Sequence, residues 1–364
     1  MSWLGLADKF ERRFSLRGIG ADRAEARRHP EGEGYRLKRG TLLFETRMMP
    51  DAKPHTLLGF NQGWPDQRSL SFQAIPGGGV SMVQVEGENI AHAAVQHAVS
   101  GRTDTLRVTF SWDVSNRHAQ LTVEKPESAQ ITSVTVADVS ALPLVALHDF
   151  IMGRGDQTFD ADVIFAALSD DIEPVGPMPG LGADAMIATP TGYRPAAQLR
   201  RGDTVLTREG ATVPVLHRIE RTCPARGSFA PVRLRAPYFG LLEDALVAPQ
   251  QRLVIDGSEV EYLFGQEAVL VPARHLVNGF AARQDSPPTT MHYCQFILPR
   301  HEAILCAGTA VESLNIGRLR RKPQVLGTTL LAGLDRSMLP DHAQPAYKEL
   351  KWYDAIHLAR QRAA

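Results

Sequence analysis

This sequence of 364 residues has few cysteines, no formal net charge and no long apolar run. Its three cysteines, Cys223, Cys294 and Cys306, are too few and too far apart for a disulfide framework. The 40 basic residues balance the 40 acidic residues, which excludes bulk attraction to nucleic acid. No apolar run reaches the ~18–20 residues of a membrane-spanning helix. We therefore expect no nucleic-acid partner, no membrane span and a cytoplasmic location, although the sequence is also compatible with a C-terminal export signal.

We also expect no signal peptide at the N-terminus, because charged residues interrupt the apolar ones between Trp3 and Phe14. This mixture of apolar and charged residues predicts a short amphipathic helix over residues 1–17. We accordingly assign residues 1–39 to a helical or irregular N-terminal arm.

What the sequence has in abundance is β patterning between residues 40 and 171. Apolar runs alternate there with turn residues, and a turn at Asp113–Asn116 predicts a hairpin. Many short antiparallel strands without helices between them favour a β-sandwich, and this pattern resembles a concanavalin-like jelly roll. Four runs have the period of two typical of a half-buried strand: Thr41–Arg47, Ser69–Ile75, Val80–Glu86 and Leu106–Trp112.

The rest of the chain divides into a linker, a second strand-rich domain and a tail. Residues 172–180 are dense in Pro and Gly, which exclude a helix or a central strand, so we predict the domain linker there. Strand patterning resumes over residues 181–318. The apolar spacing in residues 319–364 then predicts two helices in a short helical tail. The predicted fold class is therefore mainly β.

The second domain carries motifs specific enough to indicate a family. Thr-Pro-x-Gly occurs at Thr189–Gly192, and Leu-x-x-Gly-Asp-x-Val-Leu follows at Leu199–Leu206. With Leu246–Val254 and Tyr293–Gly308, these residues resemble the Hint domain, the module shared by hedgehog proteins and inteins, in a bacterial branch of that family. The resemblance covers about residues 178–318 and implies an all-β Hint fold.

The resemblance also implies a chemistry, for which this chain lacks the side chains. In that family, a Cys, Ser or Thr at the first residue of the domain attacks the preceding carbonyl, and a Thr-x-x-His set supplies the oxyanion donor and the acid or base. In the family's register these positions fall on Gly180, Ala248 and Gln251. His301 matches a family position near the cleft. It is either a residual acid or base or a structural hydrogen-bonding residue.

The functional hypothesis is a Hint-domain protein that has lost self-processing and acts as a scaffold or interaction module, without a cofactor. Its expected partner is a protein or a carbohydrate. One alternative is autoproteolysis near Pro179–Gly180, by an N-to-S or N-to-O acyl shift. Another is carbohydrate binding by the sandwich, with Trp64 or Trp112 stacked on sugar rings, although a buried tryptophan is the commoner fate in such a fold.

Four residues have the atom types of zinc ligands: His292, Cys294, His301 and Cys306. His292 and Cys294 would share one face of a strand. However, the spacing matches no common structural zinc site, and a free cysteine in an apolar strand is usually a core residue. His301-Glu302 also lacks the second histidine of a His-Glu-x-x-His motif, because Leu305 stands in its place. We therefore predict no metal site.

Overall fold

The computed structural model describes residues 3–20, 34–50, 53–63, 67–97, 101–128 and 130–363, and it is mainly β, as the sequence predicts. The chain forms two compact units, Met1–Val175 and Gly176–Ala364. The division lies inside the Pro- and Gly-rich segment 172–180. Within the described part of the chain, no helix is both long and apolar enough to cross a membrane.

The first unit is an antiparallel β-sandwich with helix α1 at Leu144–Met152. Its described strands, in chain order, are β1 (Trp3–Asp8), β2 (Arg12–Phe14), β3 (Arg36–Leu37), β4 (Arg39–Met48), β5 (His55–Gln62), β6 (Arg68–Ile75), β7 (Gly79–Glu86), β8 (Asn89–Gln96), β9 (Asp104–Asp113), β10 (His118–Glu124), β11 (Ile131–Thr135), β12 (Leu142–Pro143), β13 (Asp156–Phe159) and β14 (Val163–Ser169). One sheet has the order β11-β10-β9-β4-β14-β1-β2, the second β13-β5-β6-β7-β8, and β12 pairs with β3. The four period-two runs are strands β4, β6, β7 and β9, and the predicted hairpin joins β9 to β10.

Aromatic side chains from both sheets meet in the core of the sandwich. Phe44 and Phe110 come from the larger sheet, and Phe72 comes from the smaller one. The ring of Phe72 lies 5.2 Å from that of Phe44 and 5.9 Å from that of Phe110. Phe110 in turn stacks on Trp112 at 5.4 Å. Edge-to-face and offset stacking add to the apolar area that the two facing sheets bury, so this contact accounts for the predicted sandwich.

The prediction of an N-terminal helix is wrong, because residues 3–14 form strands β1 and β2. β1 pairs with β14 on one side and β2 on the other, and Trp3 to Ala7 are all buried. Residues Trp3 to Ala7 are all apolar or glycine, so β1 lacks the period-two signal of a half-buried strand. Phe10, which the helix would have placed on its apolar face, is 96% exposed in the turn between the strands.

The second unit contains two larger sheets, which are antiparallel except for one parallel pair of strands. Its described strands are β15 (Leu181–Gly182), β16 (Met186–Thr189), β17 (Gly192–Pro195), β18 (Thr204–Leu206), β19 (Thr212–Pro214), β20 (His217–Pro224), β21 (Val232–Leu234), β22 (Ala245–Val247), β23 (Arg252–Asp256), β24 (Ala268–Pro272), β25 (Ala282–Arg283), β26 (Thr290–Ile297), β27 (Ala303–Cys306), β28 (Thr309–Glu312) and β29 (Lys348–Glu349). The sheet orders are β20-β26-β15-β22-β21-β25 and β17-β16-β27-β28-β23-β24-β29, with β18 paired to β19 and β29 parallel to β24. Helices α2, α3 and α4 span Ser258–Phe264, Pro323–Leu326 and Trp352–Ala363.

The prediction of two helices in the tail is correct only for its second half, which is α4. The first half contains the single α-helical turn α3, a short 3-10 turn on each side of it, and irregular backbone. Leu326, Leu331 and Leu339 still bury their side chains in one apolar cluster. Helical spacing of leucines therefore predicted burial here without predicting a helix, because Gly327 and Gly333 interrupt the segment and favour turns.

Candidate functional site

The three positions to which the family resemblance assigns self-processing lie together in the second unit. Gly180 directly precedes β15, which pairs with β22 on one side and β26 on the other. The Ala248 N–H donates to the Gly180 carbonyl at 2.7 Å, and the Gln251 N–H donates to the Ala248 carbonyl at 2.9 Å. The turn after β22 thus brings Ala248 and Gln251 beside Gly180.

The side chain of Gln251 occupies the space that a side chain at position 180 would need. A Cβ atom built on Gly180 would overlap Gln251 Oε1 and would lie 3.1 Å from both Cβ and Cδ of Gln251. Real Cβ atoms essentially never approach as closely as the contact to Oε1, and the two contacts at 3.1 Å are tighter than nine in ten real ones. Glycine is therefore the residue that fits beside Gln251 in this conformation.

Hydrogen bonds hold the Gln251 amide in that position. Gln295 Nε2 donates to Gln251 Oε1 at 2.7 Å, and Gln251 Nε2 donates to the Glu312 carbonyl at 3.1 Å. Gln295 Nε2 also lies 3.1 Å from the same carbonyl. Both glutamines are buried, and breaking a buried hydrogen bond leaves a polar atom without water, at a cost of about 1–3 kcal/mol.

Gln295 is a residue of this site that the sequence did not predict. Its signal was a single polar residue inside the apolar run of β26, between Cys294 and Phe296. The structure adds its role as the donor that fixes Gln251. With a methyl group at Ala248 and amides at 251 and 295, this site offers hydrogen bonds but no side chain that exchanges a proton near neutral pH.

His301 belongs to a second, charged network in the same unit. Its Nδ1 accepts from the Ala346 N–H at 3.0 Å, so the neutral ring carries its proton on Nε2. That atom lies 3.3 Å from Glu312 Oε2, but it is buried and makes no hydrogen bond within the described part of the chain. Glu312 pairs with Arg252 at 2.9 Å, and Arg252 pairs with Glu349 at 3.0 Å. These contacts connect His301 to tail residues and favour its structural interpretation.

His342 packs beside His301, with ring centroids 6.1 Å apart. Its Nδ1 accepts from the Ile316 N–H at 3.3 Å, and its Nε2 lies 3.0 Å from the Leu298 carbonyl. This geometry suits the neutral ring with its proton on Nε2. Burial is the main cause that lowers the pKa of His342 below its ordinary value.

We expect acid to destabilise the protein partly through His342. Below about pH 6.5 the unfolded chain binds a proton at this histidine that the folded chain resists, so stability falls as the pH decreases and is constant above that window. Replacing His342→Gln should reduce this pH dependence without abolishing it, because burial also lowers the pKa values of His97 and His217. Melting temperatures between pH 7.5 and 5 test this, with the exposed His118→Gln as control. An identical pH dependence in both variants would contradict it.

A second group of polar side chains lies on neighbouring strands β20 and β26. Glu220 is paired with Cys294 across the strands, and Thr222 is paired with His292. A carboxylate oxygen of Glu220, a ring nitrogen of His292 and the Cys294 sulfur all lie within 4.8 Å of one another. The expected common face of His292 and Cys294 is therefore present, and Glu220 is the member that the sequence analysis missed. Neither His301 nor Cys306 belongs to this group.

The cysteines are buried, as the apolar sequence around Cys294 and Cys306 predicted. Burial raises the pKa of Cys294 to about 11, and the Glu220 carboxylate adds to the rise. Burial likewise raises the pKa of Cys306 to about 12. Both groups are consequently thiols near neutral pH, and the thiol is a far weaker nucleophile than the thiolate.

An open depression of about 650 Å³ lies next to this group and is lined by arginines. Arg194 pairs with Asp203 at 3.2 Å. Arg218 donates to the Leu199 carbonyl at 3.1 Å and pairs with Glu220 at 3.0 Å. These partners neutralise much of the positive charge, so the depression by itself does not indicate an anion site.

In the first unit, Trp112 is a core residue and does not form a sugar platform. Its side chain is fully buried, and its Nε1–H donates to the Leu37 carbonyl at 2.9 Å. Stacking on a sugar requires an exposed ring face, so Trp112 cannot supply it. Trp64, the other tryptophan considered for that role, lies outside the described residues.

Comparison with known proteins agrees with the Hint resemblance. A family model described as the Hint domain matches residues 179–318. The MchDnaB-1 intein is 11% identical, with a TM-score of 0.25, over 36% of this chain and 98% of the intein. The carbohydrate-binding module CBM40 of a Ruminococcus gnavus sialidase is 17% identical, with a TM-score of 0.27, over 37% of this chain and 77% of the module. The chain matches no functionally curated protein at a significant level.

Proposed function

We propose that the Hint domain at residues 179–318 does not cleave its own chain and serves as a scaffold or interaction module. The observation that carries this proposal is the Gln251 side chain, which fills the space beside Gly180 where the family's nucleophile would project. Two separate deficits coincide here. Position 180 has no nucleophilic atom, and position 248 has no hydroxyl to donate to an oxyanion.

Autoproteolysis by a substitute nucleophile is the competing hypothesis. Cys294 pairs across the strands with Leu181, the residue after Gly180, and Cys306 is another cysteine of the same core. Burial keeps both as thiols, as their raised pKa values indicate. No Cys, Ser or Thr occurs between Gly176 and Ile187 in the sequence. The chemistry available around Pro179–Gly180 therefore favours an intact chain.

The place of Gly180 in the chain gives this proposal a biological consequence. Compact unit 2 starts at Gly176, so an acyl shift at residue 180, followed by attack of water or a thiol on the resulting ester or thioester, would separate the sandwich from nearly all of the Hint domain. Without that step, the two units stay on one polypeptide. A protein or carbohydrate bound by one unit would then remain tethered to the other.

We expect the purified protein to remain a single chain of 39.9 kDa during prolonged incubation with a thiol or with hydroxylamine. Neither reagent finds a thioester to open, because Gly180 cannot form one. Intact-mass spectrometry measures this directly, and the same incubation with protease inhibitors serves as the control. Two fragments that divide between Asp171 and Ala185, formed at a rate independent of protein concentration, would instead establish autoproteolysis.

A further inference from the structure

The group formed by Glu220, His292 and Cys294 combines a carboxylate, an imidazole and a thiol at one point of the β20–β26 ladder. His292 Nε2 and Glu220 Oε2 lie 3.7 Å apart. Two zinc ligands at ~2.1 Å and a tetrahedral angle would be about 3.4 Å apart. The observed separation is therefore close to that of two ligands of one ion, and the Cys294 sulfur lies within 4.8 Å of a ligand atom of each.

The His292 ring is already oriented for such a role. Its Nδ1 lies 2.9 Å from Thr222 Oγ1, on the neighbouring strand. Histidines that bind metal usually hold one ring nitrogen in a hydrogen bond, which fixes the ring and leaves the other nitrogen for the metal. Here the free nitrogen is Nε2, and it faces Glu220.

The three side chains of this group differ in how far they are buried. The side chains of His292 and Glu220 are 40% and 45% exposed, whereas Cys294 is fully buried. An ion arriving from solvent would meet the carboxylate and imidazole first and the sulfur last. The Arg218 guanidinium, 3.0 Å from Glu220 Oε2, is the cation that an ion would have to displace or share with.

We propose that Glu220, His292 and Cys294 form a binding site for a divalent transition metal, with Zn²⁺ as the expected ion. One thiolate and one imidazole favour zinc over magnesium or calcium, which prefer oxygen ligands alone. Three protein ligands leave a fourth position for water. The ion replaces the thiol proton of Cys294, and that proton is released to solvent. This site is independent of the proposed loss of self-processing, since none of its residues is at position 180, 248 or 251.

Cobalt provides the test, because a Co²⁺–thiolate bond absorbs in the near ultraviolet whereas Co²⁺ on exposed histidines or carboxylates does not. Chelator-treated full-length protein should develop this charge-transfer band at one equivalent of Co²⁺, and Zn²⁺ should abolish it. Cys294→Ser should lack the band. His292→Gln and Glu220→Gln should each weaken Co²⁺ binding by at least about tenfold.

Cys306→Ser and Cys223→Ser are the matched controls, because both replace another buried cysteine of the same unit. The band should persist in each, and circular dichroism verifies that every variant is folded. The proposal is overturned if the native chain shows no thiolate band, or if the band survives in Cys294→Ser. Because Glu220→Gln and His292→Gln change partly exposed side chains, they keep the proposal testable even if a cysteine variant misfolds.

Discussion

The triple variant Gly180→Cys, Ala248→Thr, Gln251→His is expected to cleave its own chain before residue 180, in a reaction that added thiol accelerates. The three positions already meet, since the Ala248 N–H binds the Gly180 carbonyl and the Gln251 side chain packs on Gly180. The substitutions supply a nucleophile, an oxyanion donor and an acid or base where the family has them. Intact-mass spectrometry over hours to days would follow the two products.

Variants that carry only some of the three substitutions show what each substitution contributes. Gly180→Cys alone should stay intact, because its side chain is crowded by Gln251 and lacks the donors. Omitting Ala248→Thr from the triple variant should slow cleavage by about 10²–10³-fold, the usual effect of losing one oxyanion donor. The matched control Gly180→Ala, Ala248→Thr, Gln251→His has no nucleophile and should remain whole. If the triple variant folds but never cleaves, then the residues at these three positions are not the reason that the native domain does not cleave its chain.

Replacing Trp112→Ala should destabilise the sandwich by about 3–5 kcal/mol, the typical cost of truncating a large buried aromatic residue. The ring is fully buried, stacks on Phe110 and donates to the Leu37 carbonyl, so the change removes packing and leaves a buried acceptor without its partner. Denaturant unfolding followed by far-ultraviolet circular dichroism measures the loss. It is a large share of the ~5–15 kcal/mol by which domains are usually stable.

Phe10→Ala is the matched control for this prediction, because Phe10 lies in the same unit and is 96% exposed. Its effect should be within about 0.5 kcal/mol of zero. A glycan array with the native protein separates packing from sugar binding. A Trp112→Ala variant of unchanged stability that loses a glycan signal would contradict the core assignment of this residue.

Periodicity predicted four strands of the sandwich, of which β6 and β7 have one buried face whereas β4 and β9 are buried on both faces. In β6 and β7 the alternation of apolar and polar residues reports a half-buried strand. In β4 and β9 the alternating polar residues are buried as well, and Arg107 pairs there with Glu45 at 3.0 Å. The prediction failed at β1 because Trp3 to Ala7 are all apolar or glycine, so no alternation marks this strand. In the tail, leucine spacing reported burial correctly at Leu326 and Leu331, but turns replaced the expected helix.

The sequence by itself determined the family resemblance of residues 178–318 and the absence of a nucleophile at Gly180, because both depend on residue identity at fixed spacing. Only the tertiary structure decided which side chain fills the space beside Gly180 and which side chains form the group on β20 and β26. Gln295 reaches Gln251 across 44 residues, and Glu220 reaches Cys294 through the pairing of β20 with β26. Such contacts depend on strand register, which long-range packing sets and a local pattern does not encode.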